Sequence, residues 1–183
     1  MPNTSATGGY LVETETALNV DHFFHDLIMS LTGINKTLVR PRWQPNEPTM
    51  PSSGTDWIGF GVSDLDAPES AYVEENSTGL SANMKRHEYY AVLCSFYGTN
   101  AQTTMRKMRD GLQIGQNREV LFLNNFGYIG CEKAIHAPEL INDVWFDRYD
   151  MTFQFAHEVS KSYNVQSILY ANVGSEIDII SNS

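Results

Sequence analysis

Cysteines and long apolar runs are scarce in this sequence. Its 183 residues include two cysteines, Cys94 and Cys131, in separate apolar segments without a CxxC spacing, so the pattern indicates no disulfide framework. No apolar run approaches the roughly 18 residues that a membrane-spanning helix requires. Residues 1–10 have neither the basic start nor the apolar stretch of a signal peptide, so we expect synthesis in the cytoplasm.

Basic residues are also few. The chain has 12 Lys and Arg against 22 Asp and Glu, which gives a net charge of −10. Binding to nucleic acid through phosphate neutralisation requires clustered Lys and Arg, so this balance argues against it. The balance does not argue against a place beside DNA, because an acidic surface repels the polymer and keeps it from sticking.

Sequence motifs of catalysis are missing as well. The chain contains no GxSxG, P-loop or GxGxxG pattern, and neither cysteine has a nucleophile context. His22 and His25, spaced i, i+3 in a predicted helix, leave open a small metal-dependent hydrolase, but this pair alone is a weak signal. Asp147 and Asp150 fall on opposite faces of a predicted strand, which is poor geometry for a carboxylate pair. We therefore predict a protein without enzymatic activity, cofactor or metal.

Two amphipathic helices are predicted. Residues 19–34 place Phe24, Leu27, Ile28 and other apolar residues at helical spacing, with Gly33 as a stop. Residues 100–116 have an apolar face formed by Ala101, Met105, Met108 and Leu112. The opposite face carries Arg106, Lys107 and Arg109. These three basic residues form either a solvated surface or, as the sharper alternative, a surface that pairs with an acidic partner.

The remaining periodic segments predict strands joined mostly by hairpin-like links. They are residues 56–63, 71–75, 85–97, 119–124, 128–135, 144–160 and 165–173, with a break at 137–143 that contains Pro138. The segment at 144–160 alternates most regularly, with Trp145, Tyr149, Met151 and Phe153 on one face. It is longer than the usual strand of about 5–6 residues, so we expect it to bend at a bulge or to serve a subunit contact.

The order of these elements predicts an α+β fold: a mainly antiparallel sheet with two helices packed on one face. We expect an N-terminal arm at 1–18, a single domain at 19–173 and a polar C-terminal tail at 174–183. Between the first helix and the sheet, residues 40–55 contain Pro41, Pro45, Pro48 and Pro51, which excludes helix or a sheet interior. Trp43 is the expected anchor of this loop, whose role is either that of a connector or that of a binding segment.

Three segments together resemble the neck or tail-terminator proteins of tailed bacteriophages. They are LVRPRWQPNEPTM at 38–50, DWIGF at 56–60 and WFDRYDMTF at 145–153. The resemblance runs from about residue 19 to residue 173. It implies a tail-terminator-like α+β domain that forms a hexameric ring on the tail tube, ends tube polymerisation and joins the tail to the head-side connector. It also implies a virion protein of the neck, assembled in the cytoplasm of the host bacterium, with no membrane partner and no catalytic residues.

On this resemblance the expected partners are other copies of the chain, the tail tube protein and the connector or stopper protein on the head side. The tail sheath is a further candidate partner, and DNA would be only passing cargo in the lumen. Another head-tail completion protein or a minor tail protein is the alternative within the same machine. The residues predicted to form interfaces are Trp43, Pro45, Pro48, Arg106, Lys107, Arg109, Arg148 and Asp150.

Overall fold

A computed structural model describes residues 18–46, 48–66, 70–75, 81–141 and 143–165. The predicted arm, the predicted strand at 165–173 and the predicted tail lie outside these residues, apart from Leu18 and Val165. The chain divides into two compact units. The larger comprises the described residues of Thr16–Ala71 and Lys85–Ser160, and the smaller those of Tyr72–Met84 and Lys161–Ser183.

The first helix, α1, runs over Val20–Thr32 and confirms the helical periodicity of this segment. Its N-terminus is capped by the Asn19 side chain, which accepts a hydrogen bond from the backbone N–H of His22 at 3.0 Å. Gly33 ends the helix with φ of 75°, a left-handed conformation that glycine adopts at little cost. A 3₁₀ turn at Lys36–Leu38 then leads into the first strand.

The second helix, α2, spans Ala101–Gly111 and buries the predicted apolar face. A 3₁₀ turn at Gln116–Arg118 and a short helix α3 at Glu119–Leu123 follow it. The strand predicted at 119–124 is therefore wrong. Leu121 is the only residue of this helix that is buried, whereas Phe122 and Leu123 are exposed. The apolar run at this position therefore forms a helix that directs a single side chain into the core.

The strands of the structure are β1 (Val39–Pro41), β2 (Trp57–Asp66), β3 (Tyr72–Glu75), β4 (Ser81–Tyr97), β5 (Phe126–Cys131), β6 (Ile135–His136), β7 (Glu139–Ile141), β8 (Val144–Phe146) and β9 (Arg148–Asn164). In the larger unit the strand order is β1-β2-β4-β9-β5, and β6 pairs with β9. In the smaller unit β3 pairs with β4. β1 runs parallel to β2, whereas the β2–β4, β5–β9 and β6–β9 pairs are antiparallel. The predicted α+β fold with a mainly antiparallel sheet is confirmed.

The long strand predicted at 144–160 is interrupted at Asp147. Its first part, β8, pairs with β7 in a separate antiparallel hairpin, so the predicted break at 137–143 contains a short strand. Trp145, which the alternation placed on the buried face, is 67% exposed in this hairpin. From Arg148 onward the alternation is confirmed, because Met151, Phe153 and Phe155 are all buried.

The hydrophobic core of the larger unit lies between the helices and one face of the sheet. Ile58 opposes Phe96 and Phe60 opposes Cys94 in the β2–β4 register, and all four side chains are buried beneath the helices. Aromatic rings cluster where α1 meets β9 and β5, and Phe24 contacts Phe126 and Phe155. Among the described residues no helix is long and apolar enough to cross a membrane.

Candidate functional site

The face of the sheet that points away from the helices is here called the second face. It has a depression at two glycines of β2, which carry no side chain. Side chains alternate across a strand, so Trp57, Gly59 and Gly61 share this face while Ile58 and Phe60 point into the core. A Cβ on Gly61 would lie 2.6 Å from the nearest ring atoms of Trp43. The absence of a side chain at Gly61 thus lets the indole of Trp43 rest directly on the strand.

The proline-rich loop reaches the second face immediately after β1. The backbone N–H of Arg42 donates to the carbonyl oxygen of Phe60 at 2.6 Å. Trp43 then turns the chain with φ of 58°, a region that non-glycine residues rarely adopt. Although its ring covers Gly61, Trp43 is 72% exposed. The predicted anchor of the loop therefore also presents a large apolar surface to solvent.

Two aromatic rings lie side by side next to this loop. Trp57 and Tyr97 are partners in the β2–β4 register, and their rings stack with centroids 4.1 Å apart and planes 2° apart. The guanidinium carbon of Arg40 lies 6.0 Å from the Trp57 ring, and that of Arg148 lies 5.7 Å from the Tyr97 ring. Both distances are in the range of cation–π attraction, so Trp57 interacts with Arg40 and Tyr97 interacts with Arg148.

Arg148 is held by two carboxylates. Its Nε and Nη2 donate to the two carboxylate oxygens of Asp150 at 2.9 and 2.8 Å, and its Nη1 donates to Glu139 Oε2 at 3.0 Å. Such a bidentate pair fixes the plane of the guanidinium. Glu139 belongs to the β7–β8 hairpin, so this contact also ties the hairpin to β9.

The network continues across β4 to the proline-rich loop. Ser95, a buried residue of β4, donates its hydroxyl to Asp150 Oδ1, and Arg42 Nη2 donates to the Ser95 hydroxyl oxygen. Arg40 is fixed on the same side by hydrogen bonds from Nε to the carbonyl oxygen of Thr37 at 3.2 Å and from Nη1 to that of Thr49 at 2.6 Å. The arginines of the second face are therefore positioned before any partner arrives.

Burial and the arginines act in opposite directions on Asp150. Burial by itself raises the pKa of the carboxyl, but hydrogen bonds from Arg148 and Ser95, together with the charges of Arg148 and Arg42, lower the pKa below its ordinary value. The pKa of Arg148 is raised, chiefly because its charged form donates to Asp150. Both groups are therefore charged at neutral pH.

These residues border an open groove of about 570 Å³ on the second face. Three arginines and one glutamate line it, in a chain whose net charge is −10, so the sign of the charge is locally reversed. The lining residues are Arg40, Pro41, Arg42, Trp43, Gln44, Pro48, Met50, Trp57, Gly59, Tyr97, Glu139 and Arg148. A groove with aromatic walls and arginines is suited to an occupant that is both apolar and acidic.

The structure brings several of the predicted interface residues together here. Trp43, Pro48 and Arg148 line the groove, and Asp150 joins it through Arg148. Pro45 is an exposed residue of the same loop. The predicted interface residues do not include other important residues of this site. These are Arg40, Arg42, Trp57, Gly59, Gly61, Ser95, Tyr97 and Glu139. The signal that could have found the glycines is their alternation within a strand pattern, which is typical of a close approach by another part of the chain.

The predicted basic surface lies elsewhere, on α2 in the helix layer. Lys107 Nζ donates to the carbonyl oxygen of Thr32 at 2.7 Å and so satisfies the C-terminal end of α1. Arg109 pairs with its neighbour Asp110 at 2.9 Å, and Arg106 is exposed. Lys107 thus has a function within the chain, whereas Arg106 remains the more accessible charge.

The histidine pair of α1 is engaged in local contacts. His25 Nδ1 lies 3.0 Å from Asp26 Oδ1 and His25 Nε2 lies 3.1 Å from the carbonyl oxygen of Lys36, so both ring nitrogens face oxygen acceptors. His22 Nδ1 lies 3.5 Å from the second carboxylate oxygen of Asp26. In the part of the chain that the structure describes, no group of three or more His, Cys, Asp or Glu side chains is placed to hold a metal ion.

Comparison with known proteins identifies a family to which the sequence is similar. A family model described as phage neck terminator protein matches residues 20–180. The match includes every residue that lines the groove. No curated protein matches the sequence.

Proposed function

Because the chain belongs to the family of phage neck terminator proteins, a family of structural proteins, we propose that it forms a hexameric ring at the end of the tail tube. In this role the ring stops polymerisation of the tube and joins the tail to the connector on the head side. A ring with rotational symmetry uses a heterologous contact, in which each subunit offers one surface to one neighbour and a different surface to the other. The protein must therefore carry more than one preformed interaction surface.

The groove on the second face is the observation that carries this proposal. Its arginines are already fixed by Asp150, Glu139 and backbone carbonyls, which lowers the entropic cost of binding. Trp43 is 72% exposed at its rim, and exposed tryptophan together with arginine is typical of the residues that dominate protein interfaces. These features support a subunit that binds other proteins through this face.

The composition supports the same role in a second way. The net charge of −10 repels the phosphate backbone of DNA. In the proposed ring, DNA passes through the lumen without being bound. The tail tube protein and the head-side connector are the proposed partners, with the sheath as a further candidate.

Loss of the gene from its phage provides the test. Negative-stain images of the resulting lysates should show filled heads without tails and free tails of irregular length, and the wild-type gene supplied in trans should restore joined particles. Complementation by Trp43→Ala should be impaired, because the substitution removes the exposed ring of the groove. The matched variant Trp145→Ala removes an equally exposed tryptophan outside the groove lining and should complement.

Particle images distinguish the proposal from its nearest alternative. Free tails of uniform length beside unjoined heads would assign the protein to head-tail completion and not to termination of the tube. Normal joined particles without the gene would contradict both roles. Native mass spectrometry of the assembled protein should give six chains, and a different closed number would correct the proposed stoichiometry.

A further inference from the structure

The groove on the second face selects for an occupant with two properties. Arg40 and Arg148 stand beside Trp57 and Tyr97, with guanidinium-to-ring distances of 6.0 and 5.7 Å. The groove therefore presents two arginine–aromatic pairs in succession, joined by the stacked rings. Arg148 is already paired with Asp150 and Glu139, whereas Arg40 and Arg42 bond carbonyl and hydroxyl oxygens of the described residues. An extended peptide that alternates acidic and apolar residues would place its carboxylates beside Arg40 and Arg42 and its apolar side chains against the rings.

The chain itself contains a segment of this composition. Residues 174–183 read GSEIDIISNS, in which Glu176, Ile177, Asp178 and Ile179 alternate acid and apolar side chain. No Lys or Arg follows Lys161 in the sequence, so the tail has no basic side chain that the arginines of the groove would repel. The chain after the last described residue, Val165, extends over roughly 60 Å when fully stretched, which is long enough to reach a neighbouring subunit.

We propose that the tail at 174–183 of one copy binds in the groove of a second copy, with Glu176 and Asp178 facing the arginines and the isoleucines facing Trp43, Trp57 and Tyr97. This inference rests on the proposed ring and names one of its subunit contacts. Groove and tail are different surfaces of the same chain, so a contact between them is heterologous and continues from subunit to subunit.

Calorimetric titration with a synthetic peptide of residues 166–183 tests the contact. The receptor is the full-length chain with Glu176→Lys and Asp178→Lys, whose own tail can no longer compete for the groove. The wild-type peptide should bind this receptor. A peptide with the same two charge reversals should bind about tenfold more weakly or worse, because two charge-assisted hydrogen bonds are lost.

Variants of the groove complete the titration. Arg40→Glu in the receptor should weaken the wild-type peptide by a similar factor, whereas Lys133→Glu, an exposed charge reversal outside the groove, should leave the affinity unchanged. If Arg40→Glu only disturbed the loop, neither peptide would bind. A chain with Arg40→Glu and the wild-type tail, which the altered groove repels, is the receptor for the reversed pair. Stronger binding of the charge-reversed peptide than of the wild-type peptide to this chain would show that charge decides.

Mixing two full-length variants decides whether the contact joins two copies. The Glu176→Lys/Asp178→Lys chain has an intact groove, and the Arg40→Glu chain has an intact tail. In native mass spectrometry each alone should associate less than the wild type, and the mixture should form pairs that contain one of each. Peptide binding without such pairs would mean that the tail occupies its own groove, and it would overturn the contact between copies.

Other outcomes overturn the inference directly. Equal affinity of the wild-type and charge-reversed peptides for the receptor, or binding of a peptide of residues 1–17 in place of the tail, would exclude the proposed occupant. Complementation separates this inference from the proposed function. If the wild-type gene joins heads to tails and the Glu176→Lys/Asp178→Lys gene does so equally well, the result supports the proposed function and contradicts the contact between tail and groove.

Discussion

The indole of Trp43 rests where a side chain of Gly61 would be. A Cβ at that position would lie 2.6 Å from two ring carbons, whereas a Cβ on Gly59 would lie 3.4 Å from its nearest neighbour, a ring carbon of Trp57. The first distance is a clash and the second is an ordinary contact. At the scale of single residues, the floor of the groove therefore depends on one glycine more than on the other.

Gly61→Ala should displace Trp43 from the second face. Because Trp43 is an exposed loop residue, the ring can move away, and the loss of unfolding free energy should stay within about 1 kcal/mol. Near-ultraviolet circular dichroism and tryptophan fluorescence should change clearly. Gly59→Ala is the matched control and should leave both spectra close to those of the wild type. Equal spectral changes in the two variants would contradict the placement of Trp43.

Asp150→Asn should reduce stability in a pH-dependent way. The pKa of Asp150 is lower in the folded than in the unfolded chain, so its contribution is complete above the unfolded pKa of about 4 and is lost as pH falls through the folded pKa. Urea unfolding should show the variant about 2 kcal/mol less stable than the wild type at pH 7, with the difference shrinking below about pH 4.

The control for this prediction is Asp143→Asn, an exposed turn residue with φ of 61° that asparagine also tolerates. Its stability should follow that of the wild type across the same pH range. A constant difference between Asp150→Asn and the wild type down to pH 2 would mean that the ionised carboxylate does not stabilise the fold.

Sequence reasoning found part of the site and missed the rest for a physical reason. Trp43, Pro48 and Arg148 stand out by residue type and by the family resemblance, and they line the groove. Glu139 and Ser95 do not stand out, because their role depends on a hairpin and a strand brought to Arg148 and Asp150 from 9 and 55 positions away in the chain. Such contacts are set by tertiary packing and leave no local pattern.

At the scale of elements, the turn between β4 and α2 depends on Gly98. It has φ of 104°, and a Cβ there would lie 2.5 Å from the backbone oxygen of Thr55 and 2.5 Å from Asp56 Oδ1. Asp56 accepts from the backbone N–H and side-chain amide of Asn100, both at 2.8 Å. The turn thus joins the start of β2 to the N-terminus of α2 through close backbone contact.

Gly98→Ala should destabilise the protein by about 1–3 kcal/mol, because both the left-handed backbone and the contact with Thr55 oppose a side chain. Urea unfolding measures this loss. Gly115→Ala is the control: Gly115 has φ of −55° and open space around its Cβ position, so alanine there should be neutral or stabilise by up to about 1 kcal/mol. Similar losses in both variants would contradict the role of the turn.

Elements with a clear period were predictable, and short apolar runs were not. α1, α2 and the second part of the long strand follow their periodicity. The run EVLFL at 119–123 suits a buried strand as well as a helix. In the structure it follows a 3₁₀ turn as a helix that buries Leu121, a tertiary arrangement that the run itself does not encode. Similarly, the alternation of apolar and polar residues continues across Asp147. The sequence pattern therefore does not show that β8 ends there and pairs with β7 in a separate hairpin.

At the scale of the whole molecule, charge is distributed unevenly. The protein is strongly acidic, yet Arg106 and Arg109 lie together on α2, in the helix layer away from the groove. The net charge favours repulsion from other acidic proteins. A local basic surface would offset that repulsion at a contact with an acidic partner of the neck.

Arg106→Glu with Arg109→Glu should therefore lower the yield of joined particles in complementation at least about tenfold, while the folded protein keeps its thermal stability within a few degrees. Lower ionic strength should worsen the defect, since the added charges repel an acidic partner over a longer range. Gln102→Glu with Gln113→Glu adds acid at two exposed positions of the same segment and should have a smaller effect. Unimpaired assembly by the double arginine variant would show that Arg106 and Arg109 do not contact an acidic partner.

The two cysteines give the fold one further property. Cys94 is buried in the core, where desolvation raises the pKa of its thiol, and Cys131 is a free thiol near the end of β5. A buried neutral thiol is a poor nucleophile, and neither cysteine forms a covalent link that the architecture needs. The folded chain therefore needs no oxidising compartment to reach this architecture, because no disulfide bond contributes to it.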